Sequence, residues 1–339
     1  MLDTMETLCC LDGVSGSENE IRDYILERAM PLADEIRTDA IGNILVFKKG
    51  AKAPAHKLML CAHMDEVGLI VTHITDDGYL RFATAGGVDR RVLPGKKVYV
   101  GAERVPGFIG TKAIHLTTAE QRKNIPPMKD MFIDIGASDA EQAKKLVALG
   151  DWIAFDDTVI RFGDGFIKAK AIDDRCGCAT MLTLLEEDLP CDCWFAFTVQ
   201  EEVGCRGATV AANIIEPEIA LILEGTTAGD LPEAEGAART CELGGGVVIP
   251  FMDGGAIYDR GLYDMLSALA EKNGIRWQTK TRVAGGTDAS VVQRSGSGCR
   301  VAAVSVAVRN LHSPACVARI DECEDQYRLA KLFLEAMAE

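Results

Sequence analysis

Seven acidic or imidazole side chains stand at or beyond the ends of apolar runs, and these residue types bind divalent metals or transfer protons. They are His63 and Asp65 after KLMLC, Glu201 and Glu202 after CWFAFTV, Glu224 ending IALIL, His312 beyond VAAVSVAV, and Asp173 at the start of a predicted helix in AIDDR. Ligands of open α/β sheets bind beyond the carboxyl ends of the strands. The ordered set therefore predicts one functional site, although each residue alone is typical of a core or solvated group.

The charge of the set fits two divalent ions. Asp173, Glu202 and Glu224 supply three negative charges against four positive ones, which leaves one for a bridging hydroxide. Mixed histidine and carboxylate ligands suit zinc, cobalt or manganese better than calcium or magnesium. A pair of such ions about 3.5–4 Å apart activates water for hydrolysis.

Two local spacings indicate which residues could bind metal and which could orient a ligand or abstract a proton. In an extended HMD segment, Asp65 lies on the same side as His63 and can accept the free ring N–H while the other nitrogen binds metal. Glu201 and Glu202 are adjacent, so beyond a strand end both can reach one site. One of them can then bind metal while the other abstracts a proton.

The elements around these residues predict an α/β fold with a mainly parallel sheet flanked by helices. Strand-like and helix-like segments alternate after residue 165, including a strand at 275–282 and a terminal helix. Short β-like runs broken by glycine fill residues 69–164. We expect a discontinuous catalytic domain over 1–68 and 165–339, and an inserted, barrel-like β domain over 69–164.

Composition excludes several partners. The formal net charge of −15 opposes binding to nucleic acid or anionic membranes. No apolar run of about 18 residues is present, and the first residues lack a secretory signal, so a cytoplasmic location is expected. The twelve cysteines are then predicted to be reduced, and the two CxC pairs, at 176–178 and 191–193, are weak candidates for zinc.

Three histidines lie outside the set, His56, His73 and His115, and we interpret them as structural. The GGTDA segment (285–289) is glycine-rich enough for backbone to approach a ligand, although a tight turn explains it equally well. No phosphate-binding GxxxxGK[ST] motif is present.

Six segments in this order resemble the motifs of the tetrahedral (TET) aminopeptidases, the family of glutamyl and deblocking aminopeptidases. The segments are AHMDEVG, KAKAIDDR, VQEEVGCRGA, LEGTTAGD, GGTDA and LHSP. The resemblance implies one metal held by His63, Asp173 and Glu224, and a second held by Asp173, Glu202 and His312. It also implies that Glu201 is the general base and that Asp65 orients His63. Asp173 is preferred to Asp174 as the bridge, because similar proteins can carry Asn at the second position.

By the same resemblance, the chain is expected to hydrolyse N-terminal residues from peptides with a free N-terminus, through a water that bridges two zinc or cobalt ions, or manganese. The β insert is expected to form dimers, and the dimers a tetrahedral dodecamer. One departure is Glu224, where many relatives have Asp, and it bears on metal preference.

Two other functions compete with this expectation. A glycoside hydrolase also uses two carboxylates, and similar proteins are sometimes labelled endoglucanases, but its carboxyl groups must flank the scissile bond. Aromatic residues for sugar stacking make up only 6% of the chain. A non-catalytic metal-binding scaffold is the second alternative, and it leaves Glu201 without a role.

Overall fold

The computed structural model describes residues 1–232 and 234–339. The helices in these residues are α1 (Leu2–Cys10), α2 (Asn19–Ala29), α3 (Ala140–Ala143), α4 (Ile172–Leu185), α5 (Arg206–Ile215), α6 (Arg260–Lys272), α7 (Ala289–Val292) and α8 (Ile320–Met337). The first nine strands are β1 (Glu35–Thr38), β2 (Ile44–Lys48), β3 (Leu58–His63), β4 (Gly68–Ile74), β5 (Leu80–Ala85), β6 (Lys97–Val100), β7 (Val105–Gly110), β8 (Phe132–Asp134) and β9 (Trp152–Phe155). The remaining strands are β10 (Ile160–Phe162), β11 (Phe166–Ala169), β12 (Cys193–Thr198), β13 (Ile219–Thr227), β14 (Val247–Val248), β15 (Trp277–Gln278), β16 (Arg300–Val308) and β17 (Cys316–Arg319).

An eight-stranded mixed sheet forms the main body, in the order β1-β2-β12-β3-β13-β16-β14-β15. Its four central strands, β12, β3, β13 and β16, are mutually parallel, whereas β2 and β14 join them antiparallel. All six residues of β3 are buried. Parallel strands covered on both faces have this apolar character, so the predicted α/β class with a mainly parallel sheet is confirmed.

Helices cover both faces of this sheet. Alternate residues of β3 contribute to two separate cores, because successive side chains in a strand point to opposite faces. Leu58 and Leu60 pack with α4 and α8, and Met59 and Cys61 pack with α5 and α7. No helix in the described residues combines the length and apolarity that crossing a bilayer requires.

Six further strands close into a barrel in the order β4-β5-β8-β7-β6-β9. The barrel has its own core, which includes Leu69, Leu80, Ile133 and Ile153. The barrel that the sequence predicted for the inserted segment is therefore present. β10 pairs instead with β11 and, through it, with β17 in a separate three-stranded sheet. The chain has thus left the barrel before residue 160, and the domain boundary near 164 stays a prediction.

The strand predicted over 275–282 is much shorter than expected. Only Trp277–Gln278 forms β15, which pairs with the two residues of β14 at the sheet edge. An edge strand has one neighbour, so its length is limited by that neighbour. The residues that follow turn away toward the carboxyl edge of the sheet, where Lys280, Arg282 and Gly285 line a cleft.

Candidate metal centre and cleft

The parallel strands bring the predicted side chains together at one edge of the sheet. His63 is the last residue of β3, and Glu201 and Glu202 follow the end of β12. Glu224 lies inside β13 rather than at its end, because that strand continues beyond the predicted run. His312 lies in the turn after β16. Each of the four central strands therefore supplies at least one side chain to the site.

One group of donor atoms surrounds His63. Its Nε2 atom lies 3.5 Å from Oδ1 of Asp173 and 3.6 Å from Oε2 of Glu224. All three side chains are buried. Nitrogen and oxygen ligands about 2.0–2.1 Å from a tetrahedral zinc lie roughly 3.3 Å apart. The observed separations are therefore those of atoms that can share one ion.

A second group lies on the other side of Asp173. Nε2 of His312 is 3.2 Å from Oε2 of Glu202 and 3.8 Å from Oδ2 of Asp173. These distances again match the edges of a tetrahedral site. Because the two histidines face different oxygens of Asp173, this carboxylate is placed to bridge two ions. The residues present thus fit a dinuclear centre.

Asp173 is held in place by the strand beside it. It lies in the first turn of α4 but has non-helical φ and ψ angles of −85° and 108°. Its Oδ1 atom accepts a 2.9 Å hydrogen bond from the backbone N–H of Gly225. A Cβ atom at Gly225 would lie 2.7 Å from the Cβ of Asp173, so this approach requires glycine. No local sequence signal indicated this role for Gly225.

Asp174 has a different environment. Its Oδ1 accepts from the backbone N–H of Gly177 at 2.9 Å, and its Oδ2 has no hydrogen-bond partner among the described residues. Asp174 is also near Asp173 and Glu224. Asp174 forms no ion pair with either histidine ring in the described part of the chain, whereas Asp173 lies within ion-pair distance of both.

The electrostatics of the centre favour cations. Burial raises the pKa of Glu202 and of Glu224 well above the usual range, and the carboxylate of Asp173 raises both further. Burial would lower the pKa of His63, but Glu224 and Asp173 outweigh it, and the pKa is raised well above its ordinary value. With raised pKa values, these carboxylates and this imidazole hold protons that they would otherwise release. A bound cation would replace those protons, because it stabilises ionised carboxylates and a neutral imidazole.

Asp65 acts through different atoms from those predicted. Its carboxylate lies 3.6 Å from Nδ1 of His63, too far for a hydrogen bond, whereas its backbone carbonyl oxygen lies 3.1 Å from that nitrogen. The carboxylate instead accepts from the backbone N–H groups of Glu201 and Glu202, at 2.9 and 3.2 Å, and from the Ser15 hydroxyl at 2.6 Å. The buried carboxylate therefore positions the two glutamates.

The barrel takes part in the site as well. Nδ1 of His312 lies 3.2 Å from the carbonyl oxygen of Gly87, which follows β5. Such a contact fixes which ring nitrogen faces a metal. His312 itself has a left-handed φ of 57°, an unusual conformation that is common at functional sites. Nothing in the sequence connected Gly87 with His312.

Glu201 precedes Glu202 in the chain, and both residues line the same cleft. Its Oε1 atom accepts from the thiol of Cys205 at 3.4 Å. Burial, with the carboxylates of Asp288 and Asp173, raises the pKa of Glu201 to about 8. The preceding backbone is held by Asn43, whose Oδ1 atom accepts from the N–H of Val199 at 3.0 Å.

A cleft of about 710 Å³ opens over the centre. Its walls come from both domains, and they include Asp89 and Arg91 after β5, Thr226–Ala228 at the end of β13, and Gly285–Thr287. The GGTDA segment therefore does lie at the site. Its Asp288 is buried and accepts from the Thr198 hydroxyl at 2.6 Å.

The histidines interpreted as structural are not part of this centre. His56 contacts Glu218 on the surface, and neither His73 nor His115 contributes to a possible metal group in the described residues. The two CxC pairs are buried, and no group of metal donors found in the described residues includes them. They serve as small core residues.

The comparisons with known proteins agree with the motif resemblance. Residues 42–329 match the family described as M42 glutamyl aminopeptidase. The chain is 37% identical over 339 residues to a putative aminopeptidase of Acetivibrio thermocellus, an alignment that covers 99% of this chain and 98% of that protein.

Solved structures give the same result. An aminopeptidase from the archaeon Desulfurococcus kamchatkensis superimposes with a TM-score of 0.93 at 35% identity, covering 98% of this chain and 94% of that one. The TET1 peptidase of Pyrococcus horikoshii, which can assemble into a tetrahedron or a large octahedral shell, matches with a TM-score of 0.85 at 34% identity, covering 98% of both chains. The resemblance predicted from the six motifs is therefore confirmed, and the chain belongs to the M42 glutamyl aminopeptidase family.

Proposed function

We propose that this protein is a two-metal aminopeptidase that removes residues from the free N-termini of peptides. The observation that carries the proposal is the placement of His63 and His312 against different oxygens of Asp173, each beside a further carboxylate. M42 peptidases are metal-dependent. The donor atoms suit zinc or cobalt, with manganese as the third candidate.

In this proposal, Glu201 is the general base. Two bound cations would polarise the scissile carbonyl and make the water between them more acidic. Glu201 is adjacent to the ligand Glu202, and its carboxylate is not among the donor atoms placed around either histidine. That carboxylate can accept the proton of the attacking water and pass it to the leaving amine. Asp65 keeps Glu201 in place through its backbone N–H.

Removing the metals tests this function. Treatment with a chelator is expected to lower hydrolysis of aminoacyl substrates by about 100-fold or more, because metal activation contributes several kcal/mol. Adding back zinc, cobalt and manganese separately should restore it to different extents. A panel of aminoacyl chromogens, with N-acetylated forms as the control for the free amine, reports activity, residue preference and metal in one assay.

The same assay separates the alternatives. A glycoside hydrolase would cleave cellulose, with or without chelator, and a metal-binding scaffold would cleave neither substrate. Against both alternatives, Glu202 contacts a histidine at 3.2 Å, and the Glu201 carboxylate is not among the donor atoms around either histidine. Cleavage of N-acetylated substrates at the same rate as free ones would contradict the aminopeptidase assignment.

We also propose that the chain self-associates through its barrel, as dimers that build a tetrahedral dodecamer. Several large apolar side chains of the barrel segment are exposed, among them Phe108 (56%), Ile114 (72%) and Leu116 (60%). Exposed apolar side chains that cluster on one surface mark interaction sites. Light scattering of the purified protein is expected to give the mass of twelve 36.5 kDa chains. A monomeric mass would contradict the assembly without affecting the metal centre.

A further inference from the structure

A further group of possible metal donors includes Glu201 but neither histidine. We call the side chains of Glu201, Cys205 and Asp288 the thiol cluster. One donor atom from each lies within 4.8 Å of the others. Neither Cys205 nor Asp288 belongs to the two groups around Asp173. The cluster forms where the residues that precede α5 meet the residue that precedes α7.

The geometry of the thiol cluster is that of a coordination site. Sγ of Cys205 lies 3.4 Å from Oε1 of Glu201. Sulfur and oxygen ligands at about 2.3 and 2.0 Å from a tetrahedral zinc are roughly 3.5 Å apart. An ion could therefore bind both atoms with little movement of either side chain. Cys205 and Glu201 also line the cleft, which provides a path from solvent.

Asp288 provides independent evidence for a ligand, because one of its buried carboxylate oxygens has no hydrogen-bond partner among the described residues. The residue is 1% exposed, and its Oδ1 atom makes no hydrogen bond with any described residue. Its Oδ2 atom is already held by the hydroxyl of Thr198 and the thiol of Cys61. A buried carboxylate oxygen without a partner is costly unless water or an ion satisfies it. A third ligand is thus available with its orientation already fixed.

We propose that the thiol cluster binds a third divalent ion and that this ion inhibits the enzyme. Cys205 releases its thiol proton to solvent when the ion binds, and the thiolate, with the carboxylates of Glu201 and Asp288, holds the ion. A thiolate with carboxylates selects zinc, cobalt or cadmium over magnesium or calcium. The inhibition rests on the proposed role of Glu201 as base, because a coordinated carboxylate no longer accepts a proton. The binding itself does not depend on that role.

Cobalt titration tests the site directly. Apo protein is titrated with Co²⁺ while its absorption spectrum and its aminopeptidase activity are recorded. The ligands around Asp173 contain no sulfur, so a sulfur-to-cobalt charge-transfer band in the near ultraviolet should appear only after those positions are filled. Activity should rise during the first equivalents and then fall as the band grows. Excess zinc should displace the cobalt, remove the band and keep the enzyme inhibited.

Two variants assign the band. Cys205→Ser should lack the band and the inhibition by excess metal, measured for each variant as the ratio of its activity at high and at stoichiometric metal. Cys10→Ser, which alters the one exposed cysteine among the described residues, should keep both. Absence of the band in the wild-type protein, or its persistence in Cys205→Ser, would overturn the site. If Glu201 is not the base, the band will still appear but activity will not fall with it, so the two proposals fail separately.

Discussion

Replacement of Glu201 by Gln is expected to lower kcat for aminoacyl substrates by about 10²–10⁴-fold, the usual contribution of a positioned proton-transfer group. An amide has nearly the same shape as a carboxylate but cannot take a proton from water. The Asp65 carboxylate bonds the backbone N–H of Glu201 and not its side chain, so the variant should keep the loop in place. Steady-state kinetics and metal analysis of the same preparation measure the effect.

Metal content distinguishes this role from that of a ligand. Glu201→Gln should retain the two ions proposed around Asp173, because its side chain belongs to neither of those donor groups, and should lose only an ion held in the thiol cluster. Glu103→Gln makes the same chemical change at an exposed position of the barrel and serves as the matched control. Full activity in Glu201→Gln would refute the base assignment. Low activity together with loss of an ion at stoichiometric metal, when only the positions around Asp173 are filled, would make Glu201 a ligand of that centre instead.

The proposed ligand set could be assembled from the sequence because the centre of the sheet is parallel. Parallel strands place their carboxyl ends at one edge, so residues that follow KLMLC, CWFAFTV and VAAVSVAV had to approach one another whatever the strand order. The order β12-β3-β13-β16 was not predictable, since all four strands are similarly apolar. The convergence of these side chains was therefore predictable without knowledge of which strands are neighbours.

The partners of those ligands could not be predicted in the same way. The spacing of His63 and Asp65 places both side chains on one side only while the backbone stays extended. β3 ends at His63, and beyond it the Asp65 carbonyl rather than its carboxylate faces the ring. The contact of Gly87 with His312 joins residues far apart in the chain. Such contacts depend on the tertiary packing of the barrel against the sheet.

For the barrel, too, the type of secondary structure was predictable from local sequence, whereas the pairing of its strands was not. Glycine-broken β runs indicated a mostly β insert. Closure depends on the pairing of β4 with β9, which brings Leu69 opposite Ile153. Neither strand carries a local signal for that pairing. Beyond β9, β10 pairs with β11 in a different sheet, and composition carries no signal for that change of pairing partner.

Replacement of Asp173 by Asn is expected to deplete both metal ions, whereas His63→Ala and His312→Ala should each deplete one. Asn can still accept the N–H of Gly225, so the local backbone should hold, but it offers only one oxygen and no charge. Loss of an outer partner of a ligand already costs about 10–100-fold in metal affinity, so loss of a shared ligand should cost more at both positions. Metal analysis after dialysis against a weak chelator measures the stoichiometry of each variant.

The three variants together decide whether the centre is shared or consists of two independent sites. If Asp173 bridges, its replacement must produce the combined loss of the two histidine variants, because Oδ1 faces His63 and Oδ2 faces His312. His73→Ala, on the surface of the barrel, controls for the loss of an imidazole elsewhere. Retention of one tightly held ion in Asp173→Asn would show that a nearby carboxylate such as Asp174 completes that position. The two ions would then lack a common ligand, and the bridge on which the proposed water activation depends would be absent.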